Sequence, residues 1–465
     1  MDFRSLASYL GLILEIFGIL TLFPLVVSWV FQEPVFIPFL LAAAVSFFFG
    51  FILERKFRRS PLSLGQAMLL SALTFLIISF FGAVPYLDHM GPVDAVFESV
   101  SGFTTTGLSV VNPETLPNSI LFWRSFTQWI GGVGILVIFL LLLSSPGMSS
   151  YYIYKAEGRS QRIEAGIYHT VKKIMIIYGI YTLMGFILLV AAGMPVFDSI
   201  LHTFTSLSTG GFSNMNASIG AYSSPGIEIV IIILMILGGT SFFVHDKIFR
   251  KKFLEYLKNS ETKLFWIIGF VFSLFLSISF IYHSDSIRIG VFHAFSALTT
   301  TGFTTIGMDM PGTAKILIVI LMVIGGFAGS TAGGLKLVRV GILARAIPWL
   351  SRKITYPMSA VLPFKFHGKA IRQEELTIIS LFSFLYIVIL VVSTLAFSAM
   401  GYTPIDSLYV SASAEGTVGL STIDISLVPV TGKVMLMVLM LLGRLEILPF
   451  LVLIYTLAKS VGRRK

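Results

Sequence analysis

Cysteine is absent from the 465-residue sequence, and only 12% of its residues are charged. Without cysteine the chain has no disulfide bond, no thiolate nucleophile and no cysteine-ligated metal site. A soluble domain carries about 25% charged residues, so the scarcity of charge argues against a soluble protein. The sequence also lacks a P-loop, a dinucleotide fingerprint and a His-Glu-x-x-His zinc motif. We therefore expect no cofactor in this chain and no enzyme activity.

Apolar residues dominate instead: 55% of the sequence is hydrophobic and the mean hydropathy is +0.90. Several apolar runs approach or exceed the roughly 20 residues that a helix needs to cross a bilayer. These features predict an all-α polytopic membrane protein. The first run, residues 9–30, is too long for a signal peptide and lacks a small-residue cleavage site, so we expect it to remain as a membrane helix.

The net charge of +10 follows a topological pattern. Of the 33 Lys and Arg residues, 28 fall in six clusters that lie on one side once the apolar runs are drawn as spans. The positive-inside rule then predicts that both termini are cytoplasmic, so the basic charge is not a nucleic-acid footprint. Carboxylates on the opposite side would concentrate cations near a mouth. These are Asp88, Glu114, Asp198, Asp285, Asp309, Asp406 and Asp424.

A short motif, Thr-x-Gly-(Leu/Phe)-(Ser/Thr), occurs four times in the chain. Its copies begin with Thr105-Thr106-Gly107, Thr209-Gly210-Gly211, Thr300-Thr301-Gly302 and Thr417-Val418-Gly419. The steps between the last glycines are 104, 91 and 117 residues, which exceeds the roughly 20–50 residues of a solenoid repeat. Four copies of one loop in a membrane chain indicate a pseudo-fourfold pore.

The motif divides the chain into an N-terminal hairpin (1–60) and four units (61–150, 151–255, 256–365 and 366–465). We expect four pseudo-repeated helix–pore-helix–helix units around a central pore, preceded by the helical hairpin. The hairpin helices are predicted at 9–30 and 36–53. The unit helices are predicted at 64–86, 93–104 and 119–143; at 171–192, 196–207 and 228–244; at 264–282, 287–299 and 314–345; and at 376–400, 404–414 and 433–458.

The short helices are too short to span a bilayer and are typical of re-entrant segments that line a cavity. Three of them carry a carboxylate 13 residues before the loop glycine, namely Asp94, Asp198 and Asp406, whereas the third copy has Ile289 there. This shared offset identifies Gly211, rather than Gly210, as the aligned glycine. A carboxylate near a helix N-terminus is favoured by the helix dipole.

The loops have the chemistry of a cation filter. Backbone carbonyls replace the water shell of a monovalent cation without adding a fixed charge, so the ion can enter and leave. Glycine permits the backbone angles that turn carbonyls towards an axis. We therefore predict ion-binding filter positions at Thr105, Thr106, Gly107, Thr209, Gly210, Gly211, Thr300, Thr301, Gly302, Thr417, Val418 and Gly419.

The chain resembles the Trk/Ktr/HKT superfamily of potassium transporters, and within it the TrkH-type subunits. Besides the loops, the resemblance rests on Phe-Trp-Arg-Ser at 122–125, Gly-Gly-Val-Gly at 131–134, the glycine-rich run at 325–336 and Gly-Arg-Leu-Glu at 443–446. It covers essentially the whole chain, including the extra N-terminal hairpin. It implies K+ as the transported ion, an inner (cytoplasmic) membrane location, a homodimer, and a cytosolic TrkA-like subunit that binds the nucleotide.

The glycine-rich run places five Gly among residues 325–334. Each costs up to about 1 kcal/mol in a helix relative to Ala, so the predicted third-unit helix should break there. Close helix packing is the structural alternative, and the resemblance implies an intramembrane gate below the filter. The predicted gate residues are Gly325, Gly326, Gly329, Ser330, Thr331, Gly333, Gly334, Lys336 and Arg444.

Arg444 lies inside an apolar run, where a charge is costly unless it faces protein or water. We expect it to act as a positive barrier beneath the filter; a structural ion pair with Glu446 is the alternative. Arg124 is expected to pair with a pore-helix carboxylate such as Glu98. His202 and His293 are either proton sites or hydrogen-bonded core residues.

Gated potassium uptake is the predicted function, under control of the cytosolic subunit. The alternative that the sequence leaves open is a proton- or sodium-coupled potassium symporter with the same pore. An intramembrane enzyme is the rival from another class, and no nucleophile with a base supports it.

Overall fold

The computed structural model describes residues 3–142, 152, 166–307, 309–357, 362–366 and 369–462. Within these residues the chain is helical, apart from one antiparallel pair of two-residue strands, Lys365–Phe366 and Lys369–Ala370. Six helices are long and apolar enough to cross a membrane, and two bent helix pairs would raise that number to eight. The prediction of a polytopic α-helical membrane protein is thus confirmed.

The N-terminal hairpin consists of Phe3–Leu20, Phe23–Val30 and Ile37–Lys56. Its two long helices pack backbone to backbone, because a Cβ on Gly11 would lie 2.6 Å from the carbonyl oxygen of Gly50. Small residues permit this close approach between membrane helices.

Four short helices precede the four Thr-x-Gly loops. They are Pro92–Phe103, Val196–Leu207, Ser286–Leu298 and Pro404–Glu415, which we call pore helices 1 to 4. Each has 12 or 13 residues, as the sequence predicts. Pore helices 1, 2 and 4 carry an aspartate in the first turn, whereas pore helix 3 carries no acidic residue there.

The helix after each loop is interrupted, and not only in the third unit. The structure gives Asn118–Val133 and Ile135–Leu142; Pro225–Gly239 and Phe242–Phe249; Gly312–Ile324 and Leu337–Thr355; and Val430–Arg444 and Leu448–Gly462. The prediction of continuous helices over 119–143, 228–244 and 433–458 was therefore wrong. Leu143 itself lies outside the described residues.

Local backbone conformation accounts for these interruptions. Gly134 has a φ of 88°, and Glu446 and Ile447 have φ values of 57° and 61°, all outside the right-handed helical region. Thr240, in the second unit, is extended, and the chain bends by 108° between the two helices around it. Between the helices on either side of Glu446 the chain bends by 114°.

The first long helix of each unit is intact. These helices are Leu64–Gly82, Ile167–Ala191, Ser260–Ser279 and Gln373–Ala399. They surround the pore helices, and the buried core lies between the two sets. Phe17 and Phe39 of the hairpin pack edge-on against Trp123 behind the first loop. The hairpin is thereby joined to the first unit.

A carboxylate in the turn of the hairpin also ties it to the first unit. Glu33 accepts hydrogen bonds from the backbone N–H groups of Asn118, at 2.6 Å, and Ser119, at 2.9 Å. It therefore caps the N-terminus of Asn118–Val133, where backbone N–H groups lack partners within the helix.

Replacing this cap should destabilise the protein. Glu33→Ala is expected to lower the free energy of unfolding in detergent micelles by about 1 kcal/mol, the usual cost of a lost helix cap. Asp88→Ala, which removes an exposed carboxylate, is the control. Equal unfolding midpoints for the two variants would contradict the capping role.

Candidate functional site

The four Thr-x-Gly loops share an unusual backbone conformation. In each copy the threonine has a positive φ of 51–55°, which is uncommon for a residue other than glycine. The glycine two residues later also has a positive φ. The pairs are Thr105 and Gly107 (54° and 92°), Thr209 and Gly211 (53° and 75°), Thr300 and Gly302 (55° and 85°), and Thr417 and Gly419 (51° and 92°). This register places Gly211, not Gly210, with the other three glycines.

Hydrogen bonds from the loops to their own pore helices explain this conformation. The middle residue of each loop donates its backbone N–H to a carbonyl five residues upstream, as Thr106 does to Ser101 at 3.0 Å and Val418 to Ser413 at 2.8 Å. Gly210 and Thr301 donate in the same way. Such a bond after a left-handed residue is a common way to end a helix. It fixes the N–H groups and leaves carbonyl oxygens free to face elsewhere.

The loops contact one another in a closed cycle. A Cβ on Gly107 would lie 2.1 Å from the carbonyl oxygen of Gly210 in the second loop. A Cβ on Gly211 would lie 1.9 Å from the carbonyl oxygen of Thr301. A Cβ on Gly302 would lie 1.8 Å from that of Val418, and one on Gly419 would lie 2.3 Å from that of Thr106. The loops therefore form a ring in the order of the sequence, and each glycine leaves room for the next loop's carbonyl.

Charged and polar side chains brace the ring from behind. Glu98 accepts hydrogen bonds from Arg124 Nε at 2.7 Å and from the hydroxyl of Ser109 at 3.0 Å, and Arg124 donates to the carbonyl of Ser213 at 3.1 Å. Glu98 is fully buried and Arg124 is 2% exposed. Arg124 thus pairs with Glu98, as the sequence predicts, and connects the first loop to the second.

The two histidines occupy the positions equivalent to Glu98. His202 hydrogen-bonds through Nδ1 to the carbonyl of Asp198 at 2.9 Å and through Nε2 to the hydroxyl of Ser213 at 3.0 Å. His293 contacts the carbonyl of Ile289 at 2.9 Å through Nδ1. His202 is a core histidine with both ring nitrogens hydrogen-bonded, and it supports the residue two positions after Gly211.

A cavity of about 550 Å³ lies on one side of the ring. All four loop glycines line it, together with the residues that follow them. Asp424 is the one predicted mouth carboxylate among its described lining residues, and Arg124 also reaches it. The cavity thus opens directly onto the carbonyl ring.

The pore-helix aspartates are paired away from this cavity. Asp94 forms an ion pair with Lys433 at 2.7 Å, and Asp406 with Lys315 at 2.8 Å. Asp198 accepts hydrogen bonds from the Asn214 amide and the Tyr222 hydroxyl. Asp198 and Asp406, two of the carboxylates expected to concentrate cations near a mouth, do not line this cavity, so for them that expectation stays a prediction.

The opposite side of the ring is covered by the non-helical residues 325–336, which we call the interrupting segment. It lies between Gly312–Ile324 and Leu337–Thr355 and turns through positive φ values at Gly325, Gly329, Gly334 and Lys336. The expected break in the third-unit helix therefore falls at the glycine-rich run.

The interrupting segment contacts the threonines of three loops. The Thr331 hydroxyl lies 3.1 Å from that of Thr209, and the Gly333 N–H donates to the hydroxyl of Thr300 at 2.7 Å. A Cβ on Gly333 would lie 2.1 Å from the hydroxyl oxygen of Thr417. The segment is therefore pressed against the ends of loops two, three and four.

Arg444 covers the remaining loop. Its guanidinium donates to the hydroxyl of Thr105 at 3.3 Å and to the carbonyl of Thr331 at 2.9 Å, and it also contacts the carbonyls of Gly131 and Gly132. Glu446, the ion-pair partner that the sequence offers for Arg444 as the alternative, pairs with Arg339.

A cavity of about 20 Å³ beside Thr417, Lys336 and Arg444 is polar. That volume has room for about one water molecule. The interrupting segment and Arg444 therefore leave room for little more than one water molecule in this cavity.

Two side chains that hold the second loop and the interrupting segment were not predicted from the sequence. Gln128 donates to the carbonyl of Gly210 at 2.7 Å and accepts from the N–H of Phe212 at 3.1 Å. Glu261 accepts a hydrogen bond from the N–H of Ala328 in the interrupting segment at 3.2 Å. An amide inside an apolar run was a usable signal for Gln128. Glu261 resembled an ordinary residue of a helix first turn.

The sequence is similar to those of known cation transport proteins. Residues 39–461 match the family model TrkH, described as a cation transport protein. An uncharacterised cation transporter of Methanocaldococcus jannaschii is 39% identical, with 98% of this chain and 96% of the relative covered. The Trk system potassium uptake protein TrkH of Escherichia coli K12 is 30% identical over 97% of this chain and 98% of its own length.

The crystal structure of the potassium transporter TrkH from Vibrio parahaemolyticus is similar to this fold. The TM-score is 0.87 at 30% sequence identity, and the match covers 97% of this chain and 98% of that structure.

Removing one partner of the buried Glu98–Arg124 pair should destabilise the protein strongly. Glu98→Gln leaves the arginine charge buried without a counter-ion, so the free energy of unfolding should fall by about 3–5 kcal/mol. Glu375→Gln, which breaks the exposed pair with Arg372, is the matched control and should cost about 0–1 kcal/mol. Denaturant unfolding in micelles measures both, and similar losses would refute the bracing role.

Proposed function

The chain belongs to the TrkH family of cation transport proteins, and from this we infer that it takes up K+ through the ring of four Thr-x-Gly loops. Family membership makes it a transporter rather than an enzyme. Relatives named Trk system potassium uptake proteins support K+ as the ion. The single observation that carries the proposal is the closed cycle of loop contacts, which brings carbonyl oxygens from all four loops together.

In this proposal the ring is a selectivity filter. An ion enters from the cavity of about 550 Å³ and exchanges its water shell for loop carbonyls. The C-termini of all four pore helices run into the loops. Because a helix C-terminus carries a partial negative charge, these ends favour a cation at the ring. The bracing by Glu98, Arg124 and Gln128 keeps the loops at a fixed spacing.

The interrupting segment acts as the gate. Thr331 and Gly333 contact the loop threonines, and the Arg444 guanidinium lies beneath the first loop. A cation leaving the filter would meet both a steric block and a positive charge. Passage therefore requires the interrupting segment to move and Arg444 to release the carbonyl of Thr331. Glu261, which holds Ala328, resists that movement.

Regulation follows from the same assignment. The basic segments, including residues 247–263 and 336–372, face the cytoplasm and offer docking sites to a cytosolic TrkA-like subunit that binds the nucleotide. The transporter works in the inner membrane as a homodimer with both termini inside. The term "Trk system" in the names of relatives supports a multi-component assembly.

The filter assignment is tested by Gly107→Ser. A side chain here would overlap the carbonyl oxygen of Gly210, so the K+ preference over Na+ should fall when flux is measured in liposomes. Gly91→Ser is the matched control, since a Cβ at Gly91 meets no atom within 4 Å. If Gly107→Ser keeps both the flux and the ion preference of the wild type, this ring is not the filter.

The gate assignment is tested by Arg444→Ala. Loss of its hydrogen bonds, worth about 1.5–3 kcal/mol each for a charged donor, should raise K+ flux roughly tenfold or more. Arg444→Lys should give an intermediate flux, because it keeps the charge and loses the fork of donors. Arg372→Ala, which changes an exposed arginine, is the control. Unchanged or reduced flux at equal expression would remove the barrier role.

A further inference from the structure

The helix that continues from the interrupting segment has an unusual charge pattern. Leu337–Thr355 contains four basic residues and no acidic residue. Arg339 is engaged by Glu446 and lies 4.3 Å from the Phe382 ring centroid. The other three, Arg345, Arg352 and Lys353, are exposed and form no ion pair within the described part of the chain. Their charge is available to an external anion.

An apolar groove lies between this helix and Gln373–Ala399. Its volume is about 620 Å³, within the roughly 300–1,000 Å³ of small-molecule sites. Nine of its ten described lining residues are apolar, and Ser380 is the exception. Two of them, Ile347 and Leu350, are 70% and 51% exposed. The groove therefore presents an apolar surface that is exposed at the surface of the protein.

Trp349 joins the groove to the positive charge. Its ring lines the groove, and the Lys353 ammonium lies 5.1 Å from the ring centroid. The indole N–H donates to the carbonyl of Leu362 at 3.2 Å, and the ring packs edge-on against Phe364. Tryptophan is enriched at the boundary between hydrocarbon and headgroups. The site thus offers apolar surface beside cationic groups, which matches an anionic amphiphile.

We propose that this groove binds an anionic phospholipid, with an acyl chain along Val340, Leu343 and Ile347 and the headgroup phosphate near Arg352 and Lys353. The proposal rests on the proposed function for its orientation, which puts the basic segments in the leaflet richest in anionic lipid, and the lipid's role rests on the proposed gate. A second copy of the chain is a poorer occupant, because a twofold contact would place the same positive patch against itself.

The position of the site gives the lipid a role. Leu337–Thr355 begins directly after Lys336, the last residue of the interrupting segment. A bound phospholipid therefore anchors the helix whose movement would displace the gate.

The test is quenching of Trp349 fluorescence by brominated lipids. The purified protein is reconstituted in phosphatidylcholine vesicles with increasing brominated phosphatidylglycerol, and in a parallel series with brominated phosphatidylcholine. The Trp349→Phe variant identifies the contribution of that side chain among the five tryptophans. We expect Trp349 to be quenched at a lower fraction of phosphatidylglycerol than of phosphatidylcholine.

The charge requirement is tested by the triple variant Arg345→Gln, Arg352→Gln and Lys353→Gln. Each Lys or Arg near an anionic surface favours binding roughly fivefold, so the triple variant should weaken the phosphatidylglycerol effect roughly 100-fold. Lys251→Gln, Lys252→Gln and Lys258→Gln together remove the same charge from exposed positions and should keep it. These measurements need no ion flux, so they are independent of the filter and gate assignments.

Two results would overturn the proposal. Equal quenching by the two brominated lipids would show that the groove takes any acyl chain without recognising an anion. A tighter oligomer in the triple variant, with no lipid preference in the wild type, would assign this face to a second copy of the chain, because removing the charge relieves the repulsion across a twofold contact.

Discussion

The close approach of four backbones is the constraint on which the rest of the structure depends. Each loop glycine lies where a side chain would overlap the carbonyl oxygen of the next loop. The ring therefore tolerates no Cβ at these positions, and the residues around it hold four loops at that separation. The ion selection proposed for this ring requires the same closeness, because carbonyl oxygens replace a water shell only when they surround the ion together.

Buried polar groups maintain that separation. The Arg124 guanidinium hydrogen-bonds to both Glu98 and the second loop. The Gln128 side chain hydrogen-bonds to the backbone of the second loop. Carboxylates act at a distance from the ring as well: Glu33 caps the helix after the first loop, and Glu261 holds the interrupting segment. In a membrane few other groups satisfy free backbone N–H groups. Glu33 and Glu261 are accordingly used at a helix end and at a helix break.

Repetition made much of this fold predictable from sequence. The four motifs, the short helices before them and the glycine-rich break at 325–334 are local features with clear composition, and the shared offset of Asp94, Asp198 and Asp406 identified Gly211 correctly. The breaks in the second and fourth units were not predicted, because Thr240, Glu446 and Ile447 leave the helical region without being residues that favour a break, whereas Gly134 was an available signal in the first unit. The pairing of Asp94 with Lys433 joins residues 339 positions apart, and no periodicity reveals such a contact.

That long separation has a consequence for biogenesis. The first and fourth units are neighbours in the ring, yet they lie at opposite ends of the chain: Gly419 meets Thr106, Lys433 meets Asp94 and Arg444 meets Thr105. Contacts between distant residues form late, since the closure entropy of a long loop opposes them. The ring is therefore complete only after the fourth unit has been inserted. Arg444, which covers the first loop, arrives with that same unit, so a growing chain never presents the finished ring without its cover.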